Sequence, residues 1–168
     1  MDGPRILHLY VSGGHNFFGH HGRAPDAHPA VERVVARCVA GRGLEGDRFF
    51  AHEPGHKGQV TFFADEVYED LCATLNVHDR PASVFRRNVV TRGLDLSALI
   101  GAEFALQGVR FLGVSECAPC HWMNGAFHPE AETRLRGRGG LRAKILSDGE
   151  LSVGAVRLEI LAAAAGKP

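Results

Sequence analysis

The sequence predicts a mainly β fold, a barrel with a few short covering helices, and three observations predict it. Short apolar and β-branched runs dominate the chain, glycine-bearing turns separate them, and only two stretches carry helical spacing. The strand-like runs are 6–11, 31–39, 59–63, 88–91, 103–106, 109–115, 141–146, 150–153 and 156–161. Gln107-Gly108 sits between two of them as a hairpin turn. Asp148-Gly149 is a stronger turn signal, because glycine relieves the positive φ that two-residue hairpins demand. The C-terminal third is therefore expected to be mainly antiparallel. In 65–75 the residues Val67, Leu71 and Leu75 recur four apart, with Asp65 and Glu66 at the positive end of the dipole. A second helix, over 129–135, starts on Pro129, where a missing N–H costs nothing. Both helices are expected to cover an open end of the barrel.

With 168 residues, 45% of them hydrophobic, and a formal net charge of zero, the chain is sized for one ordinary core. A single domain over 1–168 is expected, with its core at about 31–160, a loop at 12–29 and a fraying tail at 162–168. No apolar stretch approaches the roughly 20 residues that cross a bilayer. Asp2 and His8 interrupt the N-terminus, which lacks the apolar core of a secretory signal. A cytoplasmic location follows as an expectation, with no membrane partner. Cys38, Cys72, Cys117 and Cys120 are too sparse for a disulfide scaffold and are read as free thiols or metal ligands.

Among 19 basic residues 16 are Arg, and the planar guanidinium fork suits phosphate and carboxylate, so an anionic ligand fits the composition. Codon bias in an Ala-, Gly- and Arg-rich genome accounts for the same excess. Zero net charge argues against general nucleic-acid binding. The loop at 12–29 gathers His15, His20, His21 and His28 amid Gly and Pro. Its spacing gives no recognisable zinc ligand set, and it reads as a mobile polar loop over the site.

Cys117 and Cys120 frame the strongest chemical signal, Glu116-Cys-Ala-Pro-Cys-His121. Two sulfurs three positions apart clamp a metal, form a redox disulfide, tether a haem, or leave one activated thiolate beside a spectator. Met123 is a conceivable second haem ligand, but the expected attachment pathway lies outside the cytoplasm. Thioredoxin-like chemistry needs the pair early in a βαβ unit, and this pair lies late, after a hairpin. A structural zinc site needs two more ligands, and no second close pair exists.

Three basic segments are weak signals one by one. Phe85-Arg86-Arg87-Asn88 enters a strand; if extended, it points Arg86 and Asn88 to one face and Arg87 away. Gly43-Leu44-Glu45-Gly46-Asp47-Arg48 lets backbone approach a ligand, with Asp47 orienting Arg48, but lacks a P-loop lysine. Residues 134–142 interleave four arginines with Gly137, Gly139 and Gly140. Each reads equally well as a solvated edge or loop.

In order, however, these pieces form a specific set: Gly-Leu-Glu-Gly-Asp-Arg (43–48), Gly-Gln-Val-Thr (58–61), Phe-Arg-Arg-Asn-Val-Val (85–90) with Arg92-Gly-Leu-Asp-Leu96, Leu-Ile-Gly (99–101), Cys117-Ala-Pro-Cys120 and Gly137-Arg-Gly-Gly-Leu-Arg142. The set resembles the MOSC domain, named for the C-terminal domain of molybdenum cofactor sulfurases. The resemblance covers roughly 31–160.

It implies a β-barrel that binds molybdenum cofactor or passes sulfur to it. Cys120, the second cysteine of the pair, then ligates Mo or carries a persulfide, with Cys117 resolving or merely packing. Arg86 and Asn88 help hold the pterin phosphate, joined by Arg92 and by the Gly46, Asp47 and Arg48 turn. The chain has no room for the pyridoxal phosphate domain of the large sulfurases. Two roles follow: a reductase of N-hydroxylated small molecules served by a separate electron-donor protein, or a carrier loaded by a cysteine desulfurase. Without molybdenum, a cytoplasmic zinc or thiol-redox binding module is the alternative.

Overall fold

Twelve strands and three α-helices occur among residues 3–165, the part that the computed structural model describes. The strands are β1 (Arg5–Val11), β2 (Val31–Arg33), β3 (Val35–Val39), β4 (Gly43–Leu44), β5 (Val60–Ala64), β6 (Val89–Arg92), β7 (Glu103–Leu106), β8 (Val109–Glu116), β9 (Leu141–Ile145), β10 (Gly149–Ser152), β11 (Gly154–Ala155) and β12 (Leu158–Ala162). The helices are α1 (Asp65–Leu75), α2 (Trp122–Ala126) and α3 (Ala131–Leu135).

Nine strands form one mixed sheet in the order β11-β1-β6-β5-β9-β8-β7-β12, with β2 paired to β1; a second sheet runs β10-β3-β4. Only the β5–β6 pair is parallel among the described pairings. The mainly β class holds, but the expected barrel does not close, because the path of the large sheet ends on β11 and β12. The small sheet covers the core instead. Its Ala36, Cys38, Leu44 and Leu151 pack into the same cluster as Ile6, Leu9, Phe62, Phe104 and Phe111.

Two other expectations are corrected by where strand edges are free. The run 31–39 is not one strand: it breaks at exposed Val34, with β2 pairing to β1 and β3 to β10. Asp148-Gly149 does not close a hairpin, because β5 and β8 already occupy both edges of β9, leaving none for β10. Asp148 Oδ1 instead accepts the Ala40 N–H at 2.8 Å, steering the chain across to the small sheet. The Gln107-Gly108 hairpin does form. Both residues have positive φ, 51° and 80°, as a two-residue type I′ turn requires, and Leu106 faces Val109.

The two faces of β5 build two cores. Phe62 points inward, edge-on to Phe104 and Phe111 at 5.9 and 5.4 Å between centroids. Phe63 points outward into a second cluster with Leu71, Phe85, Met123, Phe127 and Leu135. Side chains alternate with period two, so one strand serves both. Helix α1 lays Val67, Leu71 and Leu75 into that second cluster, as their spacing predicts. It stops at Asn76, whose left-handed backbone returns an N–H to the Cys72 carbonyl. The helices therefore cover the outer face of β5 and not a barrel end. Pro129 lies one residue before the cap of α3, outside its first turn, and short α2 carried no sequence signal. Strand β12 runs on to Ala162; of the tail expected to fray, 166–168 lie outside the described residues. Among the described residues, no helix is long and apolar enough to cross a membrane.

Gly140 opens β9 at φ +108, and a Cβ there would sit 2.2 Å from the Phe62 carbonyl oxygen. Both the clash with backbone and the positive φ oppose any side chain. Gly140→Ala is expected to lower unfolding free energy by roughly 1–3 kcal/mol in urea denaturation; an unchanged midpoint would contradict this packing.

Candidate functional site

The site begins at a buried amide. Asn88 enters β6, the strand between β1 and β5, and its side chain bonds to both neighbours. Asn88 Oδ1 accepts the Thr61 N–H and hydroxyl, both at 3.0 Å, while Nδ2 donates to the Tyr10 carbonyl at 3.1 Å and to Asp47 Oδ1 at 3.2 Å. Asp47 Oδ1 also accepts the Ser12 N–H, and Oδ2 accepts the Phe49 N–H. Both residues are buried. One amide and one carboxylate thus fasten β1, β5, β6 and the turn at 46–49, where Gly46 takes φ +85.

That junction sets three arginines. Arg86 has φ 57 and caps a short 3-10 turn (Ala82–Phe85), so the entry to β6 is not extended. In consequence Arg87 does not turn away: Arg48, Arg86 and Arg87 all line one cavity, while Asn88 lies beneath it. Arg86 donates to the carbonyls of His28 and Gly14, each at 2.8 Å, and to Ser12 Oγ at 2.7 Å. It fastens the 12–29 loop to the cavity. Burial, with Arg48 beside it, pushes its guanidinium down to about 10 against the pull of Asp47. Arg48 is also shifted down, by burial and then Arg87; its hydrogen bonds to Asp47 and to the Arg86 carbonyl are long, 3.4 Å each. Its donors are the least committed of the three.

Arg87 holds the cysteine loop in place. Its Nε donates to the Gly139 carbonyl at 3.0 Å and its Nη2 to the Cys117 carbonyl at 2.9 Å. Gly139 approaches so closely that a Cβ would lie 2.4 Å from the Cys117 oxygen. Of the glycines in 134–142, which read as a solvated loop in isolation, Gly139 is the one this contact needs. Cys117 is buried, and Cys120, three residues on, is exposed and lines the cavity. The His121 ring packs on Trp122, 4.8 Å between centroids.

The cavity measures about 460 Å³. The 12–29 loop is more than polar cover, because it supplies His15, Asn16, Phe17, Phe18 and His21 to the wall. Asn16 ties the loop to itself through the His28 N–H and carbonyl at 2.7 and 3.0 Å. Phe17 stacks on Trp122 from α2 at 5.1 Å, and Phe49 adds a further ring. His15 is pushed below its ordinary 6.5, by burial and then by Arg48, which favours its neutral form. No carboxylate lines this cavity among the described residues. Guanidinium groups, aromatic faces and one thiol remain, which suits a flat anionic ligand that offers a soft centre to sulfur.

Of the residues singled out from sequence, Arg48, Arg86 and Cys120 meet at the cavity. Asp47 and Asn88 lie below it as support, and Gly46 is an exposed residue of the turn that carries Asp47. Arg92 is elsewhere, at the far end of β6, paired with Asp65 and Glu69 of α1. Phe17, Phe18, Phe49, Arg87 and Trp122 were missed. Only the aromatic pair inside a Gly-rich loop gave a usable signal.

Asn88→Ala would remove the amide partner of Thr61 and of the Tyr10 carbonyl in a buried place, while Asp47 keeps the Ser12 and Phe49 N–H groups. The expected loss is about 2–3 kcal/mol of unfolding free energy by denaturant titration; a loss of ligand affinity with full stability would mean that the amide serves the ligand instead.

The architecture has known counterparts. The YuaD protein from Bacillus subtilis superposes with a TM-score of 0.71 at 16% identity, covering 94% of each chain. YiiM from Escherichia coli gives 0.67 at 18% identity, over 96% of this chain and 72% of that one. YiiM from Geobacillus stearothermophilus gives 0.65 at 14% identity, over 94% and 75%. At these identities the likeness shows the fold alone. No curated protein matches the chain. The sequence model of the MOSC domain, however, matches residues 48–156, a span that holds the Asp47–Arg48 turn from Arg48 onward, the Arg86–Asn88 junction, Cys117 and Cys120, and the chain therefore belongs to the MOSC domain family.

Proposed function

We propose that this protein holds a phosphorylated pterin molybdenum cofactor in the Cys120 cavity and acts as a reductase of N-hydroxylated small molecules. One observation carries the reading: an exposed thiol shares a cavity wall with three guanidinium groups and, among the described residues, no carboxylate. The donor set fits the group. Cys120 would supply a soft sulfur ligand, Arg48 its uncommitted donors to phosphate, and Phe17, Phe49 and Trp122 flat apolar faces to the pterin. When bound, the cofactor supplies a two-electron redox centre.

The protein's own part is to bind, orient and exclude water. Arg86 pins the 12–29 loop against the cavity, so Phe17 and Phe18 form part of its wall. Arg48 and Arg86 are partly buried, and there a guanidinium acts more strongly on an anion than it would in water. Arg87 fixes the Cys117–Cys120 loop at two carbonyls and thereby limits where the sulfur can go. Breaking an N–O bond consumes two electrons and two protons and releases water. The sequence carries no flavin fingerprint or ferredoxin cysteine set, so a separate electron-donor protein is part of the proposal, as is a cytoplasmic setting for the free thiols. The exposure of Cys120 also suits a second reading, a persulfide carrier loaded by a cysteine desulfurase.

The test is metal and labile-sulfur content in protein made by a cofactor-competent host. The parent is expected to carry about one Mo per chain, falling at least tenfold in Cys120→Ser with an unchanged melting temperature, since the side chain is exposed. Arg48→Ala should lower Mo retention several-fold while leaving the thiol reactive. Cyanide-labile sulfur without Mo would favour the carrier. Parent-like Mo in both variants would overturn the site.

A further inference from the structure

A second set of donors lies just beyond the Asp47–Arg48 turn, and the Cys120 cavity uses none of it. Two successive tight turns, closed by the His52 N–H to the Phe49 carbonyl and the His56 N–H to the Glu53 carbonyl, fold 49–56 back on itself. They bring His52, Glu53 and His56 together, each with one ligand atom, and the three atoms lie within 4.8 Å of one another. Glu53 Oε1 is 3.1 Å from His56 Nδ1, and the His52 and His56 ring centroids are 5.1 Å apart. In a tetrahedral zinc site with ligands at about 2.1 Å, neighbouring donors stand roughly 3.4 Å apart and two imidazole centroids about 5 Å apart. Both spacings are thus near those of a bound metal. His52 and Glu53 are exposed, which leaves their side chains room to move toward an ion.

His56 provides a second, separate observation. Its Nε2 is the one buried side-chain nitrogen or oxygen without a hydrogen-bond partner among the described residues. Native structures leave few such atoms, and each asks for a physical reason. The ring is positioned by stacking on Phe49, 5.0 Å away and 15° from parallel, and not by bonds at both nitrogens. Glu53 Oε1 lies at hydrogen-bond distance from Nδ1, so a cation binding there displaces that proton and takes both atoms as ligands, while Nε2 has no protein bond to be broken.

We propose that His52, Glu53 and His56 form a binding site for a divalent transition metal of the zinc class. Two imidazoles and a carboxylate suit such an ion, and three protein ligands leave a fourth position for water. Phe49 links the site to the cavity. Its ring packs on His52 and His56, and it also lines the Cys120 wall, where the Arg48 guanidinium lies 4.8 Å over it. Metal at 52–56 holds that turn, and with it one wall of the cavity. The inference is independent of what Cys120 holds.

Full-length Cys120→Ser protein, stripped with chelator, is titrated with Zn²⁺ against a chromophoric competitor, so that the exposed thiol cannot compete. One equivalent is expected to bind, with affinity at least tenfold weaker once His52→Ala or Glu53→Gln is added. Both side chains are exposed, so melting in excess chelator should match the Cys120→Ser parent. Zn²⁺ should raise the melting temperature of that parent alone. Absence of binding, or equal binding in the His52→Ala variant, overturns the proposal. Zinc bound by the unsubstituted chain but lost in Cys120→Ser also overturns it, because the ion would then sit on the thiol.

Discussion

The amide of Asn88 is the constraint on which the rest of the molecule depends. It sits where the parallel pair of β5 and β6 meets β1, and it supplies both an acceptor and donors to strands on either side. A parallel pair cannot be closed by a short hairpin, so its register needs another anchor. Asn88 provides one, and by reaching Asp47 it sets the 46–49 turn against the same strand. A buried amide is specific in a way that an apolar contact is not, because a slip of one residue would break its four hydrogen bonds at once.

From that anchor the chemistry of the cavity follows. The backbone before Asn88 turns through a left-handed Arg86, and this places two successive arginines on the cavity side. They are not equivalent. Arg86 and Arg87 use their donors on carbonyls, fastening the loop and the cysteine segment respectively, whereas Arg48 keeps weaker bonds. Three like charges around one space repel each other and favour an anionic guest. The depressed proton affinity of Arg86 reflects that burial and crowding.

Much of the fold is legible in the sequence because it is written locally. Period-two runs give the strands, the 67, 71, 75 spacing gives α1, and Gln107-Gly108 gives a hairpin whose partners adjoin in sequence. What fails is non-local. Whether Asp148-Gly149 closes a hairpin depends on β5 and β8 having taken both edges of β9, and no window around residue 148 contains that information. Closure of the sheet fails for the same reason, since the small sheet competes for the core. At the site, Cys120, Arg86 and Arg48 were legible through an ordered resemblance. Arg87 was assigned to the wrong face because alternation assumes extended backbone, and Arg86 breaks it. His52 and His56 gave no signal, because their meeting depends on two turns and on the ring of Phe49.

The central claim is that the sulfur of Cys120 meets the metal of a bound pterin. X-ray absorption at the molybdenum edge counts sulfur neighbours directly. The loaded protein should show one more sulfur at thiolate distance than the Cys120→Ser variant reconstituted with the same cofactor. Equal sulfur counts in the two would contradict the account.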